Sequence, residues 1–157
     1  MICLSMFVIG AGFLSCRQFH APNAWISRSP TNSQWAVDLV PSGFLDIGHD
    51  FRVHDRFASP LQPRYVCDLF WQQRYYPTDL HWSRDGSVAA IRVSFSTHTD
   101  SLFACAYDFR QHRSFRTGSP GSPLEPSPDF ATKIEKLLAE RGGVGSVIPV
   151  PDVNKGP

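Results

Sequence analysis

Adjacent histidine and aspartate residues occur twice in the segment DIGHDFRVHDRFA, residues 46–58. Imidazole nitrogens and carboxylate oxygens suit zinc or iron, so His49, Asp50 and His54 are candidate metal ligands. An odd separation places His49 and His54 on opposite faces of a strand, and five helical positions place them about 140° apart. Only a loop could bring the two imidazoles together, and no third ligand is marked. The alternative interpretation is a solvated polar face.

Nucleophilic catalysis has even less support in the sequence. His81, Ser83 and Asp85 would share one side of a strand, but the Gly-x-Ser-x-Gly turn that presents a serine nucleophile is absent from the sequence. The sequence also lacks a phosphate-binding loop, a dinucleotide fingerprint and a paired CxxC zinc motif. We therefore predict no catalytic residue and no cofactor.

Composition and charge limit the class of partner. The 15 Lys and Arg residues nearly balance 14 Asp and Glu, for a net charge of +1. Nucleic-acid binding depends on an excess of positive charge, so we expect no nucleic-acid partner. The chain is 42% hydrophobic and 18% charged, which is too apolar for a wholly disordered protein. The tyrosines Tyr75 and Tyr76 are a candidate contact patch, with burial in the core as the alternative.

The N-terminal segment ICLSMFVIGAGFL, residues 2–14, is uncharged and apolar. As a helix it would reach about 20 Å, short of a bilayer core of about 30 Å, which is typical of a secretory signal. The Leu14-Ser15-Cys16 motif that follows resembles the lipobox of bacterial lipoproteins, although that family prefers an aliphatic residue at Phe13 and a basic residue before the apolar run. The resemblance implies cleavage before Cys16, lipid attachment to Cys16 and a membrane anchor in the cell envelope, on the outer membrane or facing the periplasm. Alternatives are a soluble secreted or periplasmic protein, and an N-terminal buried strand or helix.

Hydrophobic periodicity predicts a β-sheet with one helix as the framework of the fold. Alternating apolar residues predict strands at QWAVDLV, PRYVCDLFW, SVAAIRVSF and LFACAYDF, and helical spacing predicts an amphipathic helix after Pro128 that ends at Gly142-Gly143. The predicted fold class is α+β: an antiparallel β-meander of four to six strands with one C-terminal helix packed on it. The predicted segments are a signal peptide (1–15), a tether (16–33), one β-rich domain (34–143) containing a Pro/Gly/Ser linker (117–128), and an irregular tail (144–157).

One stretch of the sequence carries a turn motif. Trp82, Ser83, Asp85 and Gly86 form a Trp-Ser-x-Asp-Gly pattern in which Asp-Gly supplies a tight turn. Residues 77–116 around this pattern resemble a single blade repeat of a WD40-like or Tol-type β-propeller. A propeller needs about four or more such blades, so one copy implies a blade-like hairpin within a meander. The resemblance gives Trp82, Asp85 and Gly86 a structural role.

If the chain is cleaved before Cys16 and Cys16 carries the lipid, Cys67 and Cys105 are the cysteines left for disulfide chemistry, and both lie in strand-like runs. With a further strand between them their backbones would be about 9.5 Å apart, beyond the reach of a disulfide. Two buried thiols are the favoured interpretation, and a disulfide is the alternative in an oxidising compartment.

The function predicted from the sequence is a non-enzymatic, lipid-anchored envelope protein. It would act as a binding or assembly module for a protein partner, through loops or a sheet edge, for example by strand addition. The alternative is a small metal-dependent hydrolase that uses the cluster of His49, Asp50 and His54. A truncated or mispredicted reading frame is a third interpretation.

Overall fold

The computed structural model describes residues 25–42, 48–55, 64–69, 75–95, 101–117 and 125–151. Within these ranges the chain forms two antiparallel sheets and one helix. The elements are β1 (Trp25–Arg28), β2 (Ala36–Ser42), β3 (Gly48–His54), β4 (Arg64–Leu69), β5 (Tyr75–Ser83), β6 (Val88–Phe95), β7 (Ser101–Asp108), β8 (Arg113–Arg116), α1 (Pro128–Glu140) and β9 (Val144–Pro149).

The strands form a meander divided between the two sheets. The first sheet has the order β1-β2-β3-β4, and the second has the order β8-β7-β6-β5-β9. Strands β1 to β4 and β5 to β8 each pair with their neighbours in the chain, and β9 returns after α1 to pair with β5. The α+β class, the antiparallel pairing and the packed helix are confirmed. The described strands number nine, which is more than the four to six expected, because they form two sheets of four and five strands.

The main core lies between the two sheets. Val37, Leu39, Phe51 and Val53 face it from the first sheet, and they are almost completely buried. Residues of β5, β6 and β7 and the residue after β7 complete this core, with buried aromatic rings among them. They are Leu80, Trp82, Ala89, Ile91, Val93, Ala104, Cys105, Tyr107 and Phe109.

Helix α1 covers the opposite face of the second sheet. Ile134, Leu137 and Leu138 pack with Ala131 against small residues of β6 and β7, including Ala90. The Ser127 hydroxyl accepts a hydrogen bond from the Phe130 amide and caps the helix N-terminus. The central strands of the second sheet are therefore buried on both faces.

Two of the expected segment boundaries are wrong. Residues 25–28, assigned to the tether, form β1 and pair with β2. Residues 144–149, assigned to the irregular tail, form β9. Both strands are short and lie at the edge of a sheet, so their pairing partners define them more than their own hydrophobic pattern does.

The two cysteine-containing strands belong to different sheets. Cys67 lies in β4 of the first sheet and Cys105 in β7 of the second, which corrects the expectation of two strands in one sheet. The Cys105 side chain is completely buried, and the side chain of Cys67 lies outside the described part of the structure.

Candidate functional site

A cleft of about 240 Å³ opens between α1 and the second sheet. Its floor comes from the sheet, one wall from the helix, and the other side from the connection into β9. The lining residues are His81, Arg92, Phe103, Glu135, Leu138, Ala139, Gly143 and Val144. Three titratable side chains, those of His81, Arg92 and Glu135, thus lie beside apolar groups.

His81 is held at the floor of the cleft by strand alternation in β5. Its neighbours Leu80 and Trp82 face the core between the sheets, so His81 faces the helix side. His81 is 8% exposed, and its ring meets that of Phe103 edge to face with the ring centroids 5.1 Å apart. Its Nδ1 atom is buried without a hydrogen-bond partner among the described residues.

The electrostatic surroundings favour the neutral form of His81. Burial lowers the pKa of the imidazole below its ordinary value of 6.5, and the positive charge of Arg92 lowers it further. The carboxylate of Asp79 acts in the opposite direction without reversing the shift. The imidazole is therefore uncharged at neutral pH and can use one nitrogen as a donor and the other as an acceptor.

Arg92 supplies the positive charge of the cleft. Its guanidinium lies over the Phe103 ring, 5.1 Å from the centroid, and its Nη2 donates a 2.7 Å hydrogen bond to the Ser101 carbonyl. Its Nε atom is buried and has no hydrogen-bond partner within the described ranges. In the same ranges no carboxylate forms an ion pair with Arg92. The Arg92 side chain is therefore held in place, whereas its Nε–H has no acceptor among the described residues.

Strand β9 forms an open edge beside this cleft. In the described part of the chain it pairs on one side only, with β5. The Val150 amide donates to the Thr78 carbonyl, so by strand alternation the amide and carbonyl of Val147 point away from β5. Val144 and Val147 are 44% and 50% exposed, so β9 presents apolar side chains at the surface.

The turn between β5 and β6 is built by a polar network. Asp85 accepts hydrogen bonds from the Ser83 hydroxyl (2.7 Å) and from the amide and hydroxyl of Ser87 (3.0 and 2.7 Å). Gly86 has a φ of +68°, a conformation that L side chains rarely adopt. Trp82 lies completely buried before the turn. Trp82 thus lies near the end of β5, and Asp85 and Gly86 lie in the turn of the hairpin.

Side chains from the connection between β1 and β2 cover this turn. The Ser29 hydroxyl donates to the Gly86 carbonyl (2.8 Å), and the Thr31 hydroxyl donates to the Asp85 carbonyl (2.7 Å). A Cβ atom on Gly86 would overlap both hydroxyl oxygens. Sequence reasoning missed Ser29 and Thr31, because both fall in the segment assigned to the tether.

The structure does not gather the candidate metal ligands. Strand β3 pairs with β2 without a register shift, so the backbone phases of His49 and His54 are opposite. Asp50 forms an ion pair with Arg52 (2.5 Å), and His54 Nε2 lies 2.9 Å from Asp38 Oδ2. Within the described residues no three His, Cys, Asp or Glu side chains are grouped to hold a metal ion. The side chain of His49 itself is outside the described part.

The remaining candidates are distributed over different places. Tyr76 is 37% exposed near the start of β5, while the side chain of Tyr75 is outside the described part. Ser83 donates its hydroxyl to Asp85 and accepts from the Val88 amide, so these bonds serve the turn and do not involve His81. Cys16 lies outside the described residues. Among the helices of the described ranges, none has the length and apolarity needed to cross a membrane.

Sequence reasoning also missed the cleft as a site. Arg92 is the single charged residue of the run VAAIRVSF, and that interruption of an apolar strand is the signal that could have marked it. The approach of Phe103 and Glu135 comes from chain segments far apart in sequence, which no local pattern reveals. No protein-family model, curated protein or solved structure matches the chain.

Proposed function

We propose that the protein is a non-enzymatic binding module, anchored in the cell envelope by a lipid on Cys16, that adds an extended segment of a protein partner to the open edge of β9. The observation that carries this proposal is the edge itself. The amide and carbonyl of Val147 point away from β5, and the side chains of Val144 and Val147 are exposed. Main-chain hydrogen bonds then supply affinity and the flanking side chains supply selectivity.

Comparison of the four edges of the described sheets favours β9, since the edge strand β4 carries the charged residues Arg64 and Asp68. β8 begins and ends with arginine, and charged residues on an edge disfavour pairing with another strand. β1 has only four residues. β9 has six residues and exposes apolar side chains, although Pro149 limits its outward donors to the stretch before it.

A proline substitution tests the main-chain part of this proposal. Val147→Pro removes the outward amide while the inward hydrogen bonds of β9 are kept, so the fold is retained. Val147→Ala is the matched control, since it shortens the side chain and preserves the amide. A photo-crosslinking residue at Val144 reports the partner in membranes, and one at the exposed Ser114 of β8 controls for random contact.

We expect an adduct from position 144 that is absent from position 114. It should disappear with Val147→Pro and persist with Val147→Ala, while both variants melt at similar temperatures. An adduct that survives the proline, or none from position 144, would contradict strand addition at β9.

The anchor is tested separately. The support for it is the lipobox-like Leu14-Ser15-Cys16 motif and the apolar segment before it. Cells fed a palmitate analogue should label the wild-type protein and not Cys16→Ser. Label retained by the variant, or absent from both, would remove the lipid anchor from the proposal. The metal-dependent hydrolase remains an untested alternative with no described cluster in its favour.

A further inference from the structure

We infer that the cleft between α1 and the second sheet is a binding site for a carboxylate group, held at the floor by Arg92 and His81. This inference does not depend on strand addition at β9, because it rests on the lining of the cleft alone. Three features support it: an arginine without an ion-pair partner among the described residues, a neutral imidazole with an unused nitrogen, and apolar walls of limited volume.

The charge is the strongest of these features. A guanidinium removed from water is costly unless an anion or several acceptors compensate it. Arg92 is partly buried, with one carbonyl acceptor, a buried Nε without a partner and no ion pair in the described ranges, although Asp79 lies opposite it in the register of β5 and β6. Phe103 and Ser101 already fix the side chain, so little conformational entropy is lost when an anion binds. A planar carboxylate matches the geometry of a guanidinium better than a spherical anion does.

His81 complements Arg92 because it adds a donor without adding charge. Its Nδ1 has no partner in the described residues, and an unsatisfied buried polar atom calls for a ligand or a water. The charged groups that act on the ring are Arg92 and Asp79, with Glu135 also lining the cleft. A bound carboxylate would add negative charge beside the imidazole and raise its pKa, which provides a spectroscopic signal of occupancy.

The walls restrict the size and charge of the ligand. Leu138, Ala139 and Val144 line the cleft with apolar surface. A volume of about 240 Å³ is below the range of about 300–1,000 Å³ typical of drug-sized ligands. The exposed Glu135 repels additional negative charge. These features favour a monocarboxylate of small size, either free or as the chain terminus of a peptide.

A titration of the intact protein with benzoate tests the inference. NMR resonances of the His81 ring and the Arg92 Nε–H should shift with benzoate and remain unchanged with benzamide, the neutral isostere. Arg92→Met should weaken benzoate binding by about tenfold or more, since a charge-assisted hydrogen bond is lost. A melting curve establishes that the variant is folded.

Glu135→Gln keeps the test decisive if Arg92→Met does not fold. Residue 135 is exposed on α1, and loss of its charge should tighten benzoate binding by about twofold to fivefold. The inference fails if benzoate and benzamide act alike, if the shifts lie away from the cleft, or if Glu135→Gln leaves the benzoate affinity unchanged.

A second pair of probes identifies the source of the carboxylate. An acetylated tetrapeptide with a free C-terminus is compared with its amidated form and with benzoate. If the terminus of a β9-bound segment is the natural ligand, the free peptide binds more tightly than benzoate, and Val147→Pro weakens only the peptide. If a free small carboxylate is the ligand, Val147→Pro affects neither probe. In both cases benzoate binding supports the cleft, and the proline variant reports on β9 separately.

Discussion

At the scale of single residues, Asp85 has the most concentrated set of interactions in the turn. Burial by itself would raise the pKa of its carboxyl, but hydrogen bonds from Ser87 and Ser83, aided by the charge of Arg110, outweigh that effect and lower it. Arg110 lies 3.3 Å away. The ionised carboxylate is thus the form that the folded turn stabilises.

Asp85→Asn should destabilise the fold by about 1–3 kcal/mol at neutral pH, because an amide oxygen accepts hydrogen bonds from the serines less well than a carboxylate. A carboxyl whose pKa is lowered by folding stabilises the protein above its unfolded pKa, and this stabilisation is lost as pH falls through the folded pKa. The difference between variant and wild type should therefore shrink well below the ordinary value of 3.8.

Urea denaturation of the wild type and of Asp85→Asn, once at neutral pH and once well below pH 3.8, measures this difference in the free energy of unfolding. The exposed carboxylate variant Glu125→Gln is the control, and it should change the free energy of unfolding little at either pH. A destabilisation by Asp85→Asn that is the same in acid as at neutral pH would show that the charge of Asp85 does not stabilise the turn.

The sequence predicts this turn because its signal is local. Asp85 and Gly86 are adjacent, and the requirement for a positive φ at Gly86 is a property of one residue. The bonds from Ser29 and Thr31 cross more than fifty positions of chain, and so they could not be predicted. The same reason applies to the cleft, where Arg92 and Glu135 meet only after the sheet and helix have packed.

At the scale of elements, the helix and the long strands follow from the sequence, whereas the edge strands do not. Helix α1 carries its own start and stop: Ser127 caps it, Pro128 opens it, and Gly142 and Gly143 end it with φ near +85° to +88°. Strands β1 and β9 have no such local signals. In β7 the pairing shifts register opposite Ile91 and Arg92, so Phe103 and Cys105 face different cores although simple alternation predicts one face.

The capping interaction of α1 gives a prediction at this scale. Ser127→Ala removes the acceptor of the Phe130 amide and should lower the free energy of unfolding by about 1 kcal/mol. Ser127→Asp retains an acceptor and should keep most of that stability. Denaturant midpoints of the two variants are the measurement, and equal midpoints for Ala and Asp would exclude a contribution from the cap.

At the scale of the whole molecule, three layers explain the composition of the central strands. Val88, Ala89, Ala90 and Ile91 are all completely buried, because the first sheet covers one face of β6 and α1 covers the other. A strand buried on both faces reads as a nearly continuous apolar run, and Val88–Ile91 is such a run, whereas Arg92 and Ser94 give the rest of β6 the alternation of a half-buried strand. The division into two sheets depends on contacts between segments far apart in the chain, so it could not be predicted.

Aromatic rings join the two sheets in the main core. Phe109 stacks with both Trp35 and Trp82, at centroid distances of 5.4 and 5.7 Å. Trp35 precedes β2 of the first sheet, while Trp82 belongs to β5 of the second. The indole nitrogen of Trp82 also donates a 3.1 Å buried hydrogen bond to the Ser27 hydroxyl in β1. Stacking and hydrogen bonding thus connect the layers at the same place.

The Trp82–Ser27 bond tests whether β1 belongs to the cooperative fold. Ser27→Ala leaves a buried indole N–H without an acceptor and should lower the free energy of unfolding by about 1–3 kcal/mol, whereas Ser114→Ala on the exposed β8 should change it by less than about 0.5 kcal/mol. In a Trp82→Phe background, which lacks the donor, Ser27→Ala should cost little. This double-mutant cycle separates the hydrogen bond from the cost of altering Trp82. Equal effects of Ser27→Ala in both backgrounds would show that the Trp82–Ser27 hydrogen bond does not stabilise the fold.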